Sequence, residues 1–472
     1  MKNTQQLRRT RSWIAFGLSV MLPVFGTRFA QAEIYDLESL LKLATQYNPG
    51  VMASAKGTKQ VEAQLSEAKR SWLPTGEFRS IVAPSPSIQC SNPLPRPGDV
   101  TSEEWNQACL NTGNPEVNIG FSGIFTRNEI TLTQPVYTFG KIDSGISAAR
   151  AGIEASRSGE AAVKDVLALN VKRAYYGYKL MREILATLEE ANGYVDEAET
   201  LVQQDLDEGN GNMSITDKLR LQTVRAELET KMLEAKKGQA IALSGLRALI
   251  GISGPRDIQI DKEPLSLDAV KEQGLRFFSE QAQMSRPEIR ALNYLVKARD
   301  HLAQFEWNKM MPDLVLIGTA RHAYASSVDN PPSAFANDPF NTRAVGLAAA
   351  LRVPLDFGVS SARADRMRAA AEQAEFQRLD AMAGVNFEVE KAHTELNEAR
   401  ERVVVVGKGE KLAKRWISSI MQKMQLGLGD IKEVSDALTR YFSMRVLYLQ
   451  AIHDFNMAAA QLERATGTDV NG

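Results

Sequence analysis

Two hydrophobic periods alternate along this chain and recur in the same order. Leu314, Leu316 and Gly318 oppose Val315, Ile317 and Thr319. In the next such run Val345, Leu347, Ala349, Leu351 and Val353 share one face and Arg352 lies on the other. Earlier in the chain Ile130 and Leu132 alternate with Thr131 and Thr133. A period of two with one apolar face predicts strands, two in each half of the chain. After Phe139-Gly140 and again after Phe357-Gly358 the pattern changes. From Lys141 to about Glu208, and from Val359 to about Leu426, there is no proline and little besides helix-forming residues. These segments predict helices of ~100 Å at 1.5 Å per residue. In the second one Met382, Val385, Val389, Ala392, Leu396, Ala399, Val403 and Val406 follow heptad spacing. The return segment continues it with Ile431, Val434, Leu438, Tyr441, Tyr448, Ile452, Phe455, Ala459 and Leu462, and Arg445 is the single polar seam position. Such a seam predicts an antiparallel coiled hairpin.

The chain is a duplication. Asn48-Pro49 and Arg286-Pro287 are each followed 25 residues later by a proline, Pro74 and Pro312, at a constant offset of 238. Phe139-Gly140 matches Phe357-Gly358 at an offset of 218, and Gly209 faces Gly427 at the same offset. The first repeat is expected over 33–253, with a helix, a β-hairpin at 74–139 and a helical hairpin at 141–250. A joining segment, 254–285, leads to the second repeat at 286–467, with a β-hairpin at 312–356 and a helical hairpin at 359–467.

Charge and composition narrow the setting. The 56 Lys+Arg against 57 Asp+Glu leave no positive field to gather nucleic acid. Residues 1–32 hold five basic residues and no acid, so the formal charge of −1 becomes −6 from residue 33 onward. That stretch reads as an export signal, with basic residues before the apolar run Trp13–Phe25 and Ala30-Gln31-Ala32 as its cleavage site. A transmembrane anchor needs ~20 apolar residues, more than this run supplies. No cysteine follows it, so no lipid anchor is expected. Beyond residue 32 nothing is long and apolar enough for a membrane helix, so any span must be a closed β-barrel. Four strands cannot close one, because the smallest membrane barrels use about eight, and several copies must pool their strands.

The order of these elements resembles the TolC family of outer-membrane channels, the outer-membrane efflux proteins. The resemblance rests on the Leu37-to-Pro49 opening, Trp72-Leu73-Pro74, Gln134-Pro135-Val136-Tyr137-Thr138-Phe139-Gly140 and its counterpart Val353-Pro354-Leu355-Asp356-Phe357-Gly358. It implies an α+β membrane protein: a homotrimer with a 12-stranded barrel in the outer membrane and an α-helical barrel in the periplasm. There a periplasmic adaptor and an inner-membrane pump dock at the helical tips, and substrate passes through the lumen. Pump class could be efflux or type I secretion. The tips carry Gly209 and Gly211, then Gly427, Leu428 and Gly429. In the family, the residues matched by Glu433 and Asp436 line a constriction, and the one matched by Asp217 helps hold it closed. Asp430 is a further candidate. The alternative for all four is a solvated carboxylate on a helix N-terminal turn, where the dipole favours acids. The first tip, Glu208-Gly209-Asn210-Gly211-Asn212-Met213, lacks the small apolar residue that the family has after its first glycine.

Catalysis finds no support. HExxH, GxxxxGK[ST], GxSxG and a helix-opening GxGxxG are all absent, and the four histidines lack the spacing of a zinc helix. Neither metal nor cofactor is expected. Cys90 and Cys109, with 18 residues between them inside Pro84–Asn128, are either a disulfide, as export favours, or two unpaired thiols. The family topology puts them in or near an external loop. Outside the channel class, the competing reading is a non-conducting periplasmic coiled-coil scaffold.

Overall fold

The computed structural model describes residues 34–86, 121–209, 213–252, 258–328, 340–426 and 429–469. The expected export signal, Cys90, Cys109, Gly211, Gly427 and Leu428 lie outside the described residues.

The first repeat opens with β1 (Ile34–Tyr35), α1 (Leu37–Tyr47) and α2 (Pro49–Arg70). Asn48 shapes the α1–α2 corner: its side chain accepts from the Gly50 and Val51 amides at 2.8 and 3.2 Å and donates to the Leu249 carbonyl at 2.8 Å. Strands β2 (Thr75–Pro86) and β3 (Phe121–Tyr137) lead to α3 (Lys141–Glu208) and α4 (Ile215–Leu249). After β4 (Gln259–Ile260) the second repeat gives α5 (Leu275–Ser285), α6 (Pro287–Asn308), β5 (Asp313–Ala325), β6 (Thr342–Arg352), α7 (Phe357–Gln425) and α8 (Ile431–Thr466). Helix α5 falls in the segment expected to be a connection. It has 11 residues, as α1 does, and follows it at the same offset of 238. The repeats also close alike. Gly251 and Gly467 both adopt left-handed φ after their return helices, +69° and +68°. A Cβ on Gly251 would stand 2.4 Å from the Tyr47 carbonyl oxygen, and one on Gly467 2.8 Å from the Arg286 Cα. Only glycine lets each return helix end against the α1–α2 corner or its duplicate.

The helices α3 and α7 have 68 and 69 residues, ~100 Å each. The seam expected in the second repeat is present: Val385, Val389, Ala392, Leu396, Ala399 and Val403 of α7 and Ile431, Val434, Leu438, Tyr441, Ile452, Phe455, Ala459 and Leu462 of α8 are buried. Arg445 is accommodated by Glu410 at 3.4 Å and by the Tyr448 ring, 5.9 Å from its guanidinium carbon. The first repeat has an equivalent seam, Ile184, Leu188, Ala191, Val195, Ala198 and Val202 on α3, with Leu221, Leu228 and Ala235 on α4.

The four long strands form one antiparallel sheet in the order β2-β3-β5-β6. Its register sorts the side chains onto two faces. One face carries Phe78, Ile130, Leu132, Leu314, Leu316, Ala320, Val345, Leu347, Ala349 and Leu351 in adjoining rows. The other carries Glu77, Arg79, Glu129, Arg321, Thr131, Thr319 and Arg352. On it Arg321 pairs with Glu129 at 2.9 Å, and Arg352 reaches the Thr133 hydroxyl at 3.4 Å. The apolar side chains stand open, with Val345 90% and Leu347 75% exposed. No helix among the described residues is long and apolar enough to cross a membrane. With the apolar face against hydrocarbon, Leu347→Arg costs about 2–4 kcal/mol at mid-depth. The amount of assembled protein recovered from membranes should fall sharply for Leu347→Arg and stay near normal for Arg352→Gln on the same strand.

Candidate functional site: the helical tips and the belt around them

Both hairpins turn at the end of the helices remote from the sheet. At the first turn, Gly209 ends α3 in left-handed conformation, and the buried Asp205 accepts the Met213 amide at 2.8 Å. Ser214 and Asp217 form a reciprocal cap on α4: the Ser214 hydroxyl accepts the Asp217 amide at 3.3 Å, and the Asp217 carboxylate accepts the Ser214 amide at 3.0 Å and its hydroxyl at 2.6 Å. Arg220 stands 3.6 Å from Asp217. This carboxylate is therefore already committed to its own helix terminus.

At the second turn Gly429 is packed so closely that a Cβ would lie 2.4 Å from the Met424 sulfur and 2.8 Å from its Cα. Asp430 caps α8 by accepting the Lys432 amide at 2.8 Å. Glu433 sits 3.8 Å from Lys423 with both side chains about half exposed, so the attraction is weak. Asp436 is exposed and has no ion pair among the described residues. Glu433 and Asp436 are three apart on α8 and point to one side of it, while Ile431, Val434 and Ala437 face the hairpin interior. Asp217, on α4, belongs to the other tip. Leu426, just past α7, is 75% exposed, and Gln425 donates to Glu197 of α3 at 2.8 Å, linking the second tip to the first hairpin.

The polar groups with the most buried and specific geometry lie further up the helices, and sequence patterning did not flag them. The segment 258–274 crosses α3 and is pinned there. Asp261 accepts from the Tyr175 hydroxyl and from Lys179 at 2.9 Å, and Arg182 donates to the carbonyls of Asp261 and Glu263. Tyr176 donates to Asp268. Asn456 of α8 holds the same segment by accepting the Asp268 amide at 3.0 Å and donating to the Ser266 carbonyl at 2.8 Å. Lys172 of α3 pairs with Glu463 of α8. The available signal was the aromatic pair Tyr175-Tyr176 beside Lys172, Lys179 and Arg182 on a helix otherwise rich in alanine.

Burial pushes the Asp261 carboxyl up, but the hydrogen bonds from Tyr175 and Lys179 outweigh it and hold the acid below its ordinary value of 3.8. Burial and the acceptor Asp261 together raise the Tyr175 hydroxyl far above its usual range. A depressed acid contributes stability above its ordinary pKa and loses it as pH falls through the folded value, here below about pH 4. Asp261→Asn should therefore lower stability by about 1–3 kcal/mol at neutral pH, because the buried Lys179 loses its carboxylate and keeps only the Tyr175 hydroxyl and ring. Relative to wild type, its thermal unfolding should lose part of the steep acid dependence below pH 4.

Residues 278–468 match the family described as outer membrane efflux protein. A search of curated protein sequences finds no match. The fold is similar to that of CusC, described as forming a transmembrane channel: 16% identity, TM-score 0.72, 92% of each chain covered. The outer membrane protein VceC from Vibrio cholerae aligns at 15% identity and TM-score 0.71 over 92% of this chain and 97% of its own. The open state of the MtrE outer membrane channel from Neisseria gonorrhoeae aligns at 16% identity and TM-score 0.69, covering 92% and 89%. These likenesses point to a channel rather than an enzyme. Over residues 278–468 the chain carries the pattern of the outer membrane efflux proteins, and over its described length it has the fold of the TolC-like outer-membrane channels.

Proposed function

We propose that this protein is a passive outer-membrane exit duct, a homotrimer whose pooled strands make a 12-stranded barrel above a helical tunnel that crosses the periplasm. In this reading an inner-membrane pump, of an efflux or a type I secretion system, delivers substrate through a periplasmic adaptor at the tips. The observation that carries it is the sheet: one largely apolar face, one largely polar face, and two edges unpaired among the described residues, set on helices of ~100 Å. A soluble scaffold has no use for an apolar sheet face turned outward. Substrate choice then rests with the pump, since a duct needs only a lumen wide and polar enough to pass cargo.

The tips supply the adaptor contact and the gate. The adaptor is assigned to the glycine turns at Gly209, Gly211, Gly427, Leu428 and Gly429. Glu433 and Asp436, on one side of α8, become two facing acidic rings when three copies converge, and Asp430 adds charge at the mouth. Rings of like charge in a narrow opening repel anions and concentrate cations. Asp217 is given its part in holding the first tip closed by the family resemblance alone, since its cap bonds stay within the first turn of α4.

In planar-bilayer recordings, replacing Glu433 and Asp436 together by Asn should reduce cation selectivity and weaken block by trivalent or hexaammine-type cations. Asp217→Ala should instead raise baseline conductance. Wild-type selectivity, block and conductance in folded, inserted variants would show that these carboxylates serve only their helix termini.

A further inference from the structure

The outward, apolar face of the sheet is interrupted at one height by a row of polar side chains. Ser80, Asn128, His322 and Arg343 stand directly opposite one another across β2, β3, β5 and β6. The row beneath them is Phe78, Ile130, Ala320 and Val345, and the row above contains Val82, Thr126 and Tyr324. Ser80 and Asn128 are joined side chain to side chain at 2.8 Å. Arg343 is exposed and makes no ion pair among the described residues. The paired outward rows hold no aspartate or glutamate. The acids Glu77 and Glu129 lie on the opposite face, occupied by Arg79 and Arg321. Among the described residues this face thus bears one permanent cation per chain and no acid to neutralise it.

The height of the row says what neutralises it. From Leu351, at the helical end of β6, to Arg343 is eight residues, ~27 Å along a strand and ~20 Å along the membrane normal at the tilt of a barrel. That is near the top of an apolar band of about 25 Å, at the end of the sheet away from the helices. Tyr324, an exposed aromatic one row further out, is of the type that marks the interface. At this level an unpaired guanidinium meets lipid headgroups, and its planar donors match phosphate oxygens two at a time.

On the reading of the protein as an outer-membrane barrel, we propose that Arg343, with His322, Asn128 and Ser80 beside it, is a binding site for the phosphate of a phosphorylated glycolipid in the outer leaflet. Arg343 supplies the charge. The His322 ring and the Asn128 and Ser80 side chains supply hydrogen bonds to the remaining phosphate and sugar oxygens.

The test is native mass spectrometry of the purified oligomer titrated with diphosphorylated lipid A, and with the same glycolipid after its phosphates are removed. Wild type should retain the phosphorylated lipid in preference to the dephosphorylated one. Arg343→Gln should weaken retention about tenfold, Arg343→Lys should restore part of it, and Arg352→Gln, on the opposite face of the same strand, should leave it unchanged. Excess inorganic phosphate should not displace the lipid. Equal retention of both lipids, full retention by Arg343→Gln in an intact oligomer, or complete displacement by inorganic phosphate would overturn the site and leave the channel reading standing. A detergent-free monomer would contradict the channel reading itself.

Discussion

The outer edges of β2 and β6 set the terms for the rest of this molecule. Along each, backbone N–H and C=O groups point away from the sheet with no strand beside them among the described residues. In hydrocarbon each unpaired group costs several kcal/mol, so a four-stranded sheet with an apolar outward face is not a stable membrane structure alone. In the proposed assembly, closure with further copies satisfies both edges. It also turns the polar face inward, where Glu129, Arg321 and Arg352 can remain hydrated. The permanent charge of Arg343 fits the same scheme because it stands near the limit of the apolar band rather than within it.

A barrel assembled from several chains demands that each chain present its hairpins in one fixed orientation, and the helices provide this. Seam burial holds α8 to α7 and α4 to α3 over most of the length of these shorter return helices. Such seams resist bending but leave rotation and sliding to be fixed by polar contacts. Asp261, Asp268 and Asn456 fix α3 and α8 against the crossing segment, and Lys141 of α3 pairs with Asp313 at the start of β5, tying helix to strand across the two repeats. In the duplicate position Val359 follows Phe357-Gly358 and cannot make that pair. The two repeats are alike in elements and different in their joints.

Much of this was legible in the sequence because the signals were periodic. Alternation in β5 and β6 reported the two faces, down to Arg352 opposing Leu351, and the Val/Leu/Tyr seam of α7 and α8 reported the second hairpin. The first hairpin was less legible because its seam includes Ala191 and Ala198, which contrast little with their neighbours, and because α4 contributes few large apolar residues. Helix α5 escaped notice since its amphipathic pattern spans only three turns after a proline-bearing stretch. The belt contacts were invisible for another reason. Tyr175 and Asp261 are 86 residues apart, and no local period encodes a hydrogen bond between them. The carboxylates at the tips were easy to find, yet two of the four, Asp217 and Asp430, are engaged in capping their own helices.

In the proposed trimer β6 of one copy pairs with β2 of the next, and the duplication specifies the register. Thr75–Thr133 and Asp313–Arg352 are equivalent pairs in the two hairpins. Carrying the Ile130–Ala320 pair of β3 and β5 over by that equivalence places Ala349 of one copy opposite Val82 of its neighbour. With Cys90 and Cys109 replaced by serine, a Val82→Cys/Ala349→Cys double variant should oxidise in membranes to covalent dimers and trimers on non-reducing gels, and neither single variant should. A double variant that stays monomeric under oxidation, while recovered folded from the membrane, would contradict closure of the barrel by pooled strands.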